Sequence, residues 1–314
     1  MCQKFRLFSL PKVALKQVFE MMNPVDLVEL SFCSKSTKLE IRSATIRMDM
    51  LTMSSRSFEM EFKKTNQLVD WNFGKCIGLL EDHRKIGDAR FICWSKQNYE
   101  IDEKSISTIS CIASNFHSAI LTIFKYLDSL FIISSYSYTT YGYKNTFFDD
   151  FLEFLPKKCA NFELKDESTT SEDVYKVLDH FNILGKLEAY VGGAQLFLHE
   201  KMSSVEELVL NGVDQSFLFG SIDPIKLTIG ANILSDENLN RLCKNWVYGE
   251  KRKRENMKIL KIKRNDSMSG SIELVLRGLP SRKDSGNFYD IQRICDGRLA
   301  SVGFTDSDFL MIVY

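Results

Sequence analysis

Apolar residues recur at helical spacing from the start of the chain. In LPKVALKQVFEMM, Leu15, Val18, Phe19 and Met22 stand at i, i+3, i+4 and i+7, and Pro11 occupies the first turn, where a helix tolerates its missing N–H. Asn23 then offers a capping side chain, Pro24 a first helical position and Asp26 a carboxylate at the positive end, so a second helix starts at Pro24. At about 100° per residue, Val25, Val28 and Phe32 lie on one side of it and Leu27 and Leu30 on the other. That helix is apolar on two faces. A third segment from Ser34 has a Ser cap but only the thin stripe Leu39, Ile41 and Ile46, too little to cover both. Either the helices are the edge of one larger core, or an external helical partner takes the second face.

Beyond Arg47 the pattern changes without any Gly, Ser or Pro linker, so a second region begins at once. MDMLTMSSRSFEMEFKK predicts a hairpin around Ser54 and Ser55, and FICWS around Ile92 a further strand. The stretch 105–125 predicts a helix, with Ile106, Ile109, Ile112, Ala113 and Phe116 on one face. Strand-like pieces then recur: IISSYSYT, NFELK, LEAYV, ELVL, KLTIG and KILKIK. Helical pieces lie between several of them, notably TFFDDFLEFL, SEDVYKVLDHF and DENLNRLCKNWV. Spacings from about 19 to about 33 residues suit an irregular leucine-rich-repeat-like curved sheet, and a mixed α/β sheet without solenoid order fits the same pieces. In both, one sheet face packs on helices while the other, or its loops near Tyr141 and Gly192, is free to bind. Tyr136, Tyr138, Tyr141 and Tyr143 alternate as sheet packing or interface residues do. Asp296-Gly297 predicts a turn with two positive φ angles between IQRIC and RLASVGF, and FLMIVY a last strand pairing with RLASVGF. Trp246, at the end of its helix, reads as core packing.

Composition narrows the functional classes. A formal net charge of +0 argues against a surface that grips nucleic acid or an anionic membrane over most of its extent. A helix-turn-helix reading would make Lys35, Lys38, Arg42 and Arg47 phosphate contacts, but a solvated helix face explains them more simply. The basic run 251–254, flanked by Glu250 and Glu255, reads as a solvated loop or a nuclear import signal. The eight cysteines contain no C-x-x-C pair, which suits reduced intracellular thiols rather than zinc ligands or a disulfide framework. No apolar run has signal-peptide or bilayer-spanning length, which places the chain in cytoplasm or nucleus. There is no phosphate loop, dinucleotide fingerprint, zinc helix or nucleophile elbow, and His83, His117, His180 and His199 are widely spaced. No catalytic residue, metal ligand or cofactor follows; a cysteine nucleophile with a distant histidine is the one enzyme arrangement that only a structure tests.

The opening residues resemble an F-box over Phe5 to Ile46: Leu10-Pro11, a helix through Val18 and Phe19, then Pro24 with Asp26, Leu27, Leu30 and Ser31, closing on Cys33, Ser34 and Lys35. Thr37 stands where many F-boxes carry an aromatic, and the S-K-x-T-K form is similar to the nematode branch of the family. The C-terminal part, from VEELVLNGV to FLMIVY, is similar to the type-2 F-box-associated domain of nematode F-box proteins, including a helix ending in Trp246 and Gly249 and the turn Arg293, Asp296, Gly297. The resemblance implies an α+β chain: a three-helix F-box over 5–46, then an irregular α/β leucine-rich-repeat-like domain over 47–314 with a C-terminal β hairpin. It implies docking to a Skp1-type adaptor through Leu10, Pro11, Leu15, Val18, Met22, Pro24, Leu27 and Leu30. Through that adaptor it implies a cullin, with a target protein held by the associated domain. The chain would then be a monomeric, non-catalytic substrate receptor of a ubiquitin ligase, without cofactor, nucleic acid or membrane. A scaffold that docks the adaptor without recruiting a target needs the same helices.

Overall fold

The computed structural model describes residues 7–74, 84–86, 89–101, 104–113, 116–140, 152–166, 168–191, 199–213, 217, 219, 222–230, 234–249, 255–263, 270–284, 286–305 and 308–314. They form two compact units. The first comprises the described residues up to Thr139 with 152–154, and the second comprises Thr140 and those from Leu155 onward.

The first unit opens with three helices, α1 (Lys12–Met21), α2 (Pro24–Cys33) and α3 (Lys35–Ser43). Their starts are where the caps place them: Asn23 Oδ1 accepts from Val25 N at 2.9 Å, and Ser34 Oγ accepts from Thr37 N at 3.0 Å. After α3 a single turn at Ala44 and Thr45 leads into β1 (Arg47–Met48). The expected hairpin follows as β2 (Met50–Ser54) and β3 (Ser57–Phe62), its turn closed by Ser54 Oγ accepting from Arg56 N and Ser57 N. Then come β4 (Gln67–Phe73), β5 (Arg84–Ile86), β6 (Ala89–Ile101), β7 (Lys104–Ala113), α4 (Phe116–Leu130), β8 (Ile132–Ile133) and β9 (Tyr136–Thr140). The strand order is β9-β2-β3-β4-β7-β6-β5, with β1 and β8 paired separately. Alternate residues Leu51, Met53, Phe58, Met60, Val69 and Trp71 point into the core.

One expected element divides in two. The predicted helix over 105–125 is β7 followed by α4. Ile106, Ile109 and Ile112 happen to recur every third residue, but the operative period is two: Ser107, Ile109 and Cys111 are buried and Ile112 is exposed. Iles and threonines crowd the helical alternative and fit a pleated surface, and β7 has partners on both sides in β4 and β6.

The second unit contains β10 (Lys158–Leu164), α5 (Ser171–His180), β11 (Asn182–Tyr190), β12 (Glu207–Asn211), β13 (Lys226–Gly230), α6 (Asp236–Tyr248) and β14 (Ile259–Lys263). It continues with α7 (Ile272–Val275), β15 (Ser281–Lys283), β16 (Phe288–Gln292), β17 (Leu299–Thr305) and β18 (Asp308–Val313). The strands β10 to β14 are parallel and lie in chain order; β18, β17, β16 and β15 extend the sheet antiparallel beyond β14. The strand pieces read from the sequence over this unit, NFELK, LEAYV, ELVL, KLTIG and KILKIK, fall on strands. Their register stacks Phe162, Leu187, Leu208, Leu227, Leu260 and Met311 in one buried row and Leu164, Ala189, Leu210, Ile229, Ile262 and Phe309 in the next. α5 contributes Val174, Val177 and Leu178 to the core, and α6 contributes Leu239, Leu242, Cys243, Trp246 and Val247. Thr170 and Asp173 form a capping box at the start of α5.

The turn between β16 and β17 differs from the expected one. Only Gly297 has a positive φ, of 76°. Asp296 instead accepts from Arg293 Nε at 2.8 Å and from Arg298 N at 3.2 Å, and Arg293 N bonds Arg298 O across a four-residue turn. The carboxylate that was to take a left-handed backbone is an ion-pair partner instead. FLMIVY forms β18, paired with β17 as expected.

Candidate functional site

Helix α1 sorts its residues by face. Leu15 and Phe19 point inward and are buried, whereas Val13 and Met21 are 74% and 82% exposed. Val13, Gln17 and Met21 stand at i, i+4 and i+8 and so share one stripe. Phe8, just before the helix, is also exposed. Next to that stripe Leu10, Ala14 and Val18 are half-buried, and Pro11 is exposed.

For helix α2 the sequence left two readings open, the edge of a larger core or a face for a partner. Val25 and Val28 are fully buried on one side, and Leu27, on the side left for a partner, is only 1% exposed. The chain covers Leu27 itself, while Leu30 on the same side is half-buried. Toward α4, Ser31 Oγ lies 2.6 Å from Tyr126 Oη, Phe32 packs against the Tyr126 ring at 5.1 Å, and Lys38 Nζ sits 4.0 Å above the same ring. Burial pushes the Tyr126 phenol up and the Lys38 ammonium down from their ordinary pKa values. Asn23 ties the helix start to the sheet, its Nδ2 donating to Ser107 Oγ at 2.7 Å. On the other side, Leu27 shares an open cavity of about 460 Å³ with Phe19, Ile46 and Phe62.

Charges ring that cavity. Glu20 lies 2.6 Å from Lys64 and 3.9 Å from Lys16, and the Lys64 hydrogen bond holds its carboxyl below the usual range. Lys16 also donates to Thr45 Oγ1 at 3.2 Å. Thr45 and Asn66, at φ of 54° and 53°, stand next to the cavity in left-handed backbone. For a β-branched threonine this conformation costs on the order of 1–3 kcal/mol. Nothing in the sequence marks Thr45, because a left-handed turn ordinarily announces itself by Gly or Asn.

Of the eight residues expected at the docking face, Leu10, Val18, Met22 and Leu30 are half-buried, Pro11 is exposed, and Leu15, Pro24 and Leu27 are buried within the chain. Val13 and Met21 were missed. They fall outside the inward stripe at i, i+3, i+4 and i+7, and a second stripe at i and i+8 was the signal for them.

In the second unit, the outward face of the parallel strands carries paired charges around a neutral centre. Lys186 bridges Glu188 and Glu163, Glu163 also meets Lys165 at 2.6 Å, and Lys261 meets Asp308 at 2.8 Å. The register runs Glu163, Glu188, Val209, Thr228, Lys261 and Leu310, so Val209 and Thr228 lie between the two charged groups. At the far edge, Arg293 is buried at 1% exposure, ion-paired with Asp296 and 5.5 Å from the Trp246 ring. Ile294 N bonds Val247 O at 2.9 Å, so the β16–β17 turn is fastened to the end of α6. Gly249, which ends that helix, has no room for a side chain: a Cβ would lie 2.1 Å from Asn245 O. Trp246, Arg293 and Asp296, distant in sequence, are thus one structural cluster, and Trp246 packs as expected.

Among the described residues no group of three or more His, Cys, Asp or Glu side chains is placed to hold a metal ion. No helix among them is long and apolar enough to cross a membrane. His199 Nε2 meets Asp179 at 3.2 Å while its Nδ1 accepts from Lys201 N. Cys33 and Cys295 are exposed, and Cys111, Cys159 and Cys243 are buried. Burial pushes the Cys111 and Cys159 thiols up to about 12. Phe5, Tyr141, Tyr143, the loop at Gly192 and the basic run 251–254 lie outside the described residues.

Residues 7–47 match the F-box domain. That domain implies binding to Skp1 and, through it, to a cullin, and proteins that carry it are in general non-catalytic adaptors. The chain with this F-box is 27% identical to the uncharacterized Caenorhabditis elegans protein F54H12.5, over 98% of this chain and 92% of that one. A second uncharacterized C. elegans protein, F59B2.9, is 26% identical over 66% of this chain and 50% of its own length. No solved structure matches the chain.

Proposed function

We propose that the chain is the substrate-recognition subunit of an SCF-type (Skp1-cullin-F-box) ubiquitin ligase, working in cytoplasm or nucleus as a monomer within the complex. The observation that carries the reading is the exposed apolar stripe on α1, Val13 and Met21 with Phe8 beside it, inside the F-box match. Large apolar side chains this exposed on one helix face within an F-box suit an interaction site, and a helix presenting them suits a helical partner. In this reading Leu10, Pro11, Val18, Met22 and Leu30 extend the docking face, while Leu15, Pro24 and Leu27 support it from beneath. The F-box spans 5–46, and residues 47–314 form a type-2 F-box-associated, leucine-rich-repeat-like domain that binds the target. Support for the second half comes from the outward face of β10 to β14, where ion pairs flank the half-buried Thr228, as a polar rim surrounds the centre of an interface. Ubiquitin transfer then needs no catalytic group in this chain. Tethering raises the effective concentration of target lysine and charged conjugating enzyme.

A pull-down with a Skp1-type adaptor tests the docking half. Val13→Asp with Met21→Asp alters only exposed positions, so the variant keeps the wild-type circular dichroism spectrum. Loss of adaptor binding in that folded variant is the expected result. Failure of the folded wild type to bind, or undiminished binding by the variant, refutes the α1 face as the docking site.

A further inference from the structure

Helix α4 has two working faces. It buries Ile120, Ile123, Phe124 and Leu127. Phe124 packs against the Tyr136 ring of β9 at 6.0 Å, and Tyr136 Oη donates to Asp128 Oδ1 at 2.6 Å, which fixes α4 to the sheet. Tyr126 stands two residues from both Phe124 and Asp128, about 200° around the helix, so it faces away from β9. There it meets α2 and α3 together: Ser31 Oγ at 2.6 Å, the Phe32 ring at 5.1 Å and Lys38 Nζ at 4.0 Å from its own ring. Ser31 has one hydroxyl proton and gives it to Val28 O, so the Tyr126 hydroxyl is the donor to Ser31 Oγ. Ser31 is only 3% exposed, so an opening that breaks this bond leaves a poorly hydrated acceptor. At the other end of α2, Asn23 Nδ2 reaches Ser107 of β7 at 2.7 Å. Both ends of α2 are thus held by residues that lie outside the 7–47 match.

We propose that Tyr126 is a latch: it makes α2 and α3 open only together with the sheet of the first unit, so the F-box helices are not a separable module. A helical module held by its own core alone opens at its own free energy and exchanges its amides accordingly, whereas a latched one shares the opening of the sheet. Two consequences follow from the shared opening. Damage to the sheet loosens the helices, and a partner bound on the helices stabilises the sheet by mass action.

Amide hydrogen exchange of the full chain, read on peptides from α2 and from β4, follows both openings at once. In the wild type the slowest amides of the two elements share one protection factor. Phe58, fully buried on β3 and packed on Phe73 at 5.8 Å, provides the perturbation from the sheet side. Phe58→Leu lowers protection in α2 and β4 by the same factor. From the helix side, Tyr126→Ala lowers both by at least about tenfold, the joint worth of a part-buried hydrogen bond and a ring pair. Tyr126→Phe keeps the ring on Phe32 and loses only the hydroxyl, so it lowers both by a smaller factor and serves where the alanine variant does not fold. An α2 whose protection is unchanged in Phe58→Leu is a separate module, which overturns the proposal. Unchanged protection in both Tyr126 variants, or a loss confined to α2, overturns it equally. The measurement uses no adaptor and leaves Val13 and Met21 intact, so its outcome is independent of the pull-down.

Discussion

Arg293 and Asp296 form a charge pair in the second unit whose energetics depend on burial. Arg293 is 1% exposed, and the Asp296 side chain is 12% exposed, so removing either partner leaves the other poorly hydrated. The Arg293 hydrogen bond, aided by Arg298 N, draws the Asp296 carboxyl from its ordinary 3.8 down to about 2. A carboxyl depressed in the folded state stabilises the fold fully above its unfolded value. That contribution is lost as pH falls through the folded value. Urea unfolding from neutral pH down to about 2 therefore shows an acid-sensitive stability component of about 2 kcal/mol, and Asp296→Asn removes it. An unchanged acid limb in the variant would show that the pair contributes nothing to stability. Leu27 presents the same physics without a partner. At 1% exposure it cannot report on docking, because Leu27→Asp would place an unpaired charge in the core and destabilise α2 itself.

At the scale of the element, α2 is held by side chains that work twice. Asn23 caps it through Val25 N and reaches Ser107 on β7. Asn23→Ala removes a cap, worth about 1 kcal/mol, and a part-buried hydrogen bond worth about as much again. A loss of about 2 kcal/mol in chemical unfolding is the expected result, and a loss confined to the cap alone would mean that the Ser107 contact is not formed in solution. The cap was legible in the sequence; the tie to Ser107 was not, since it joins residues 84 positions apart. The same division runs through the fold. Local signals placed α1, α2, α5 and α6 and the parallel strands, because caps and a run of apolar residues act over a few positions. They misplaced β7, where isoleucines every third residue imitate a helix, and they misjudged the Asp296 turn, where a distant tryptophan and a neighbouring arginine decide the carboxylate's role. At the candidate site, Leu27 and Leu30 were read as a second apolar face whose cover stayed open, because pattern alone says that a face is apolar, not who covers it. The residues beside Leu27, among them Phe19, Ile46 and Phe62, come from other elements or turns.

For the whole molecule, the proposed ligase role requires two surfaces that fail separately. The proposed adaptor face lies in the first unit and the proposed target face in the second. Thr228 is half-buried at the centre of the outward sheet face, between Val209 and Lys261 in the register. Thr228→Lys adds length and a charge there without touching the buried rows on the opposite face. Purified from cells, the wild type brings down a cullin together with ubiquitin conjugates. Val13→Asp with Met21→Asp loses both, because conjugation depends on the tether. Thr228→Lys keeps the cullin and loses the conjugates, because the tether holds and the target does not. A sheet-face variant that also loses the cullin would mean that the two surfaces are not independent. One that keeps both would move target binding off the outward face, leaving the adaptor face intact and returning the search to the remaining surface of the second unit.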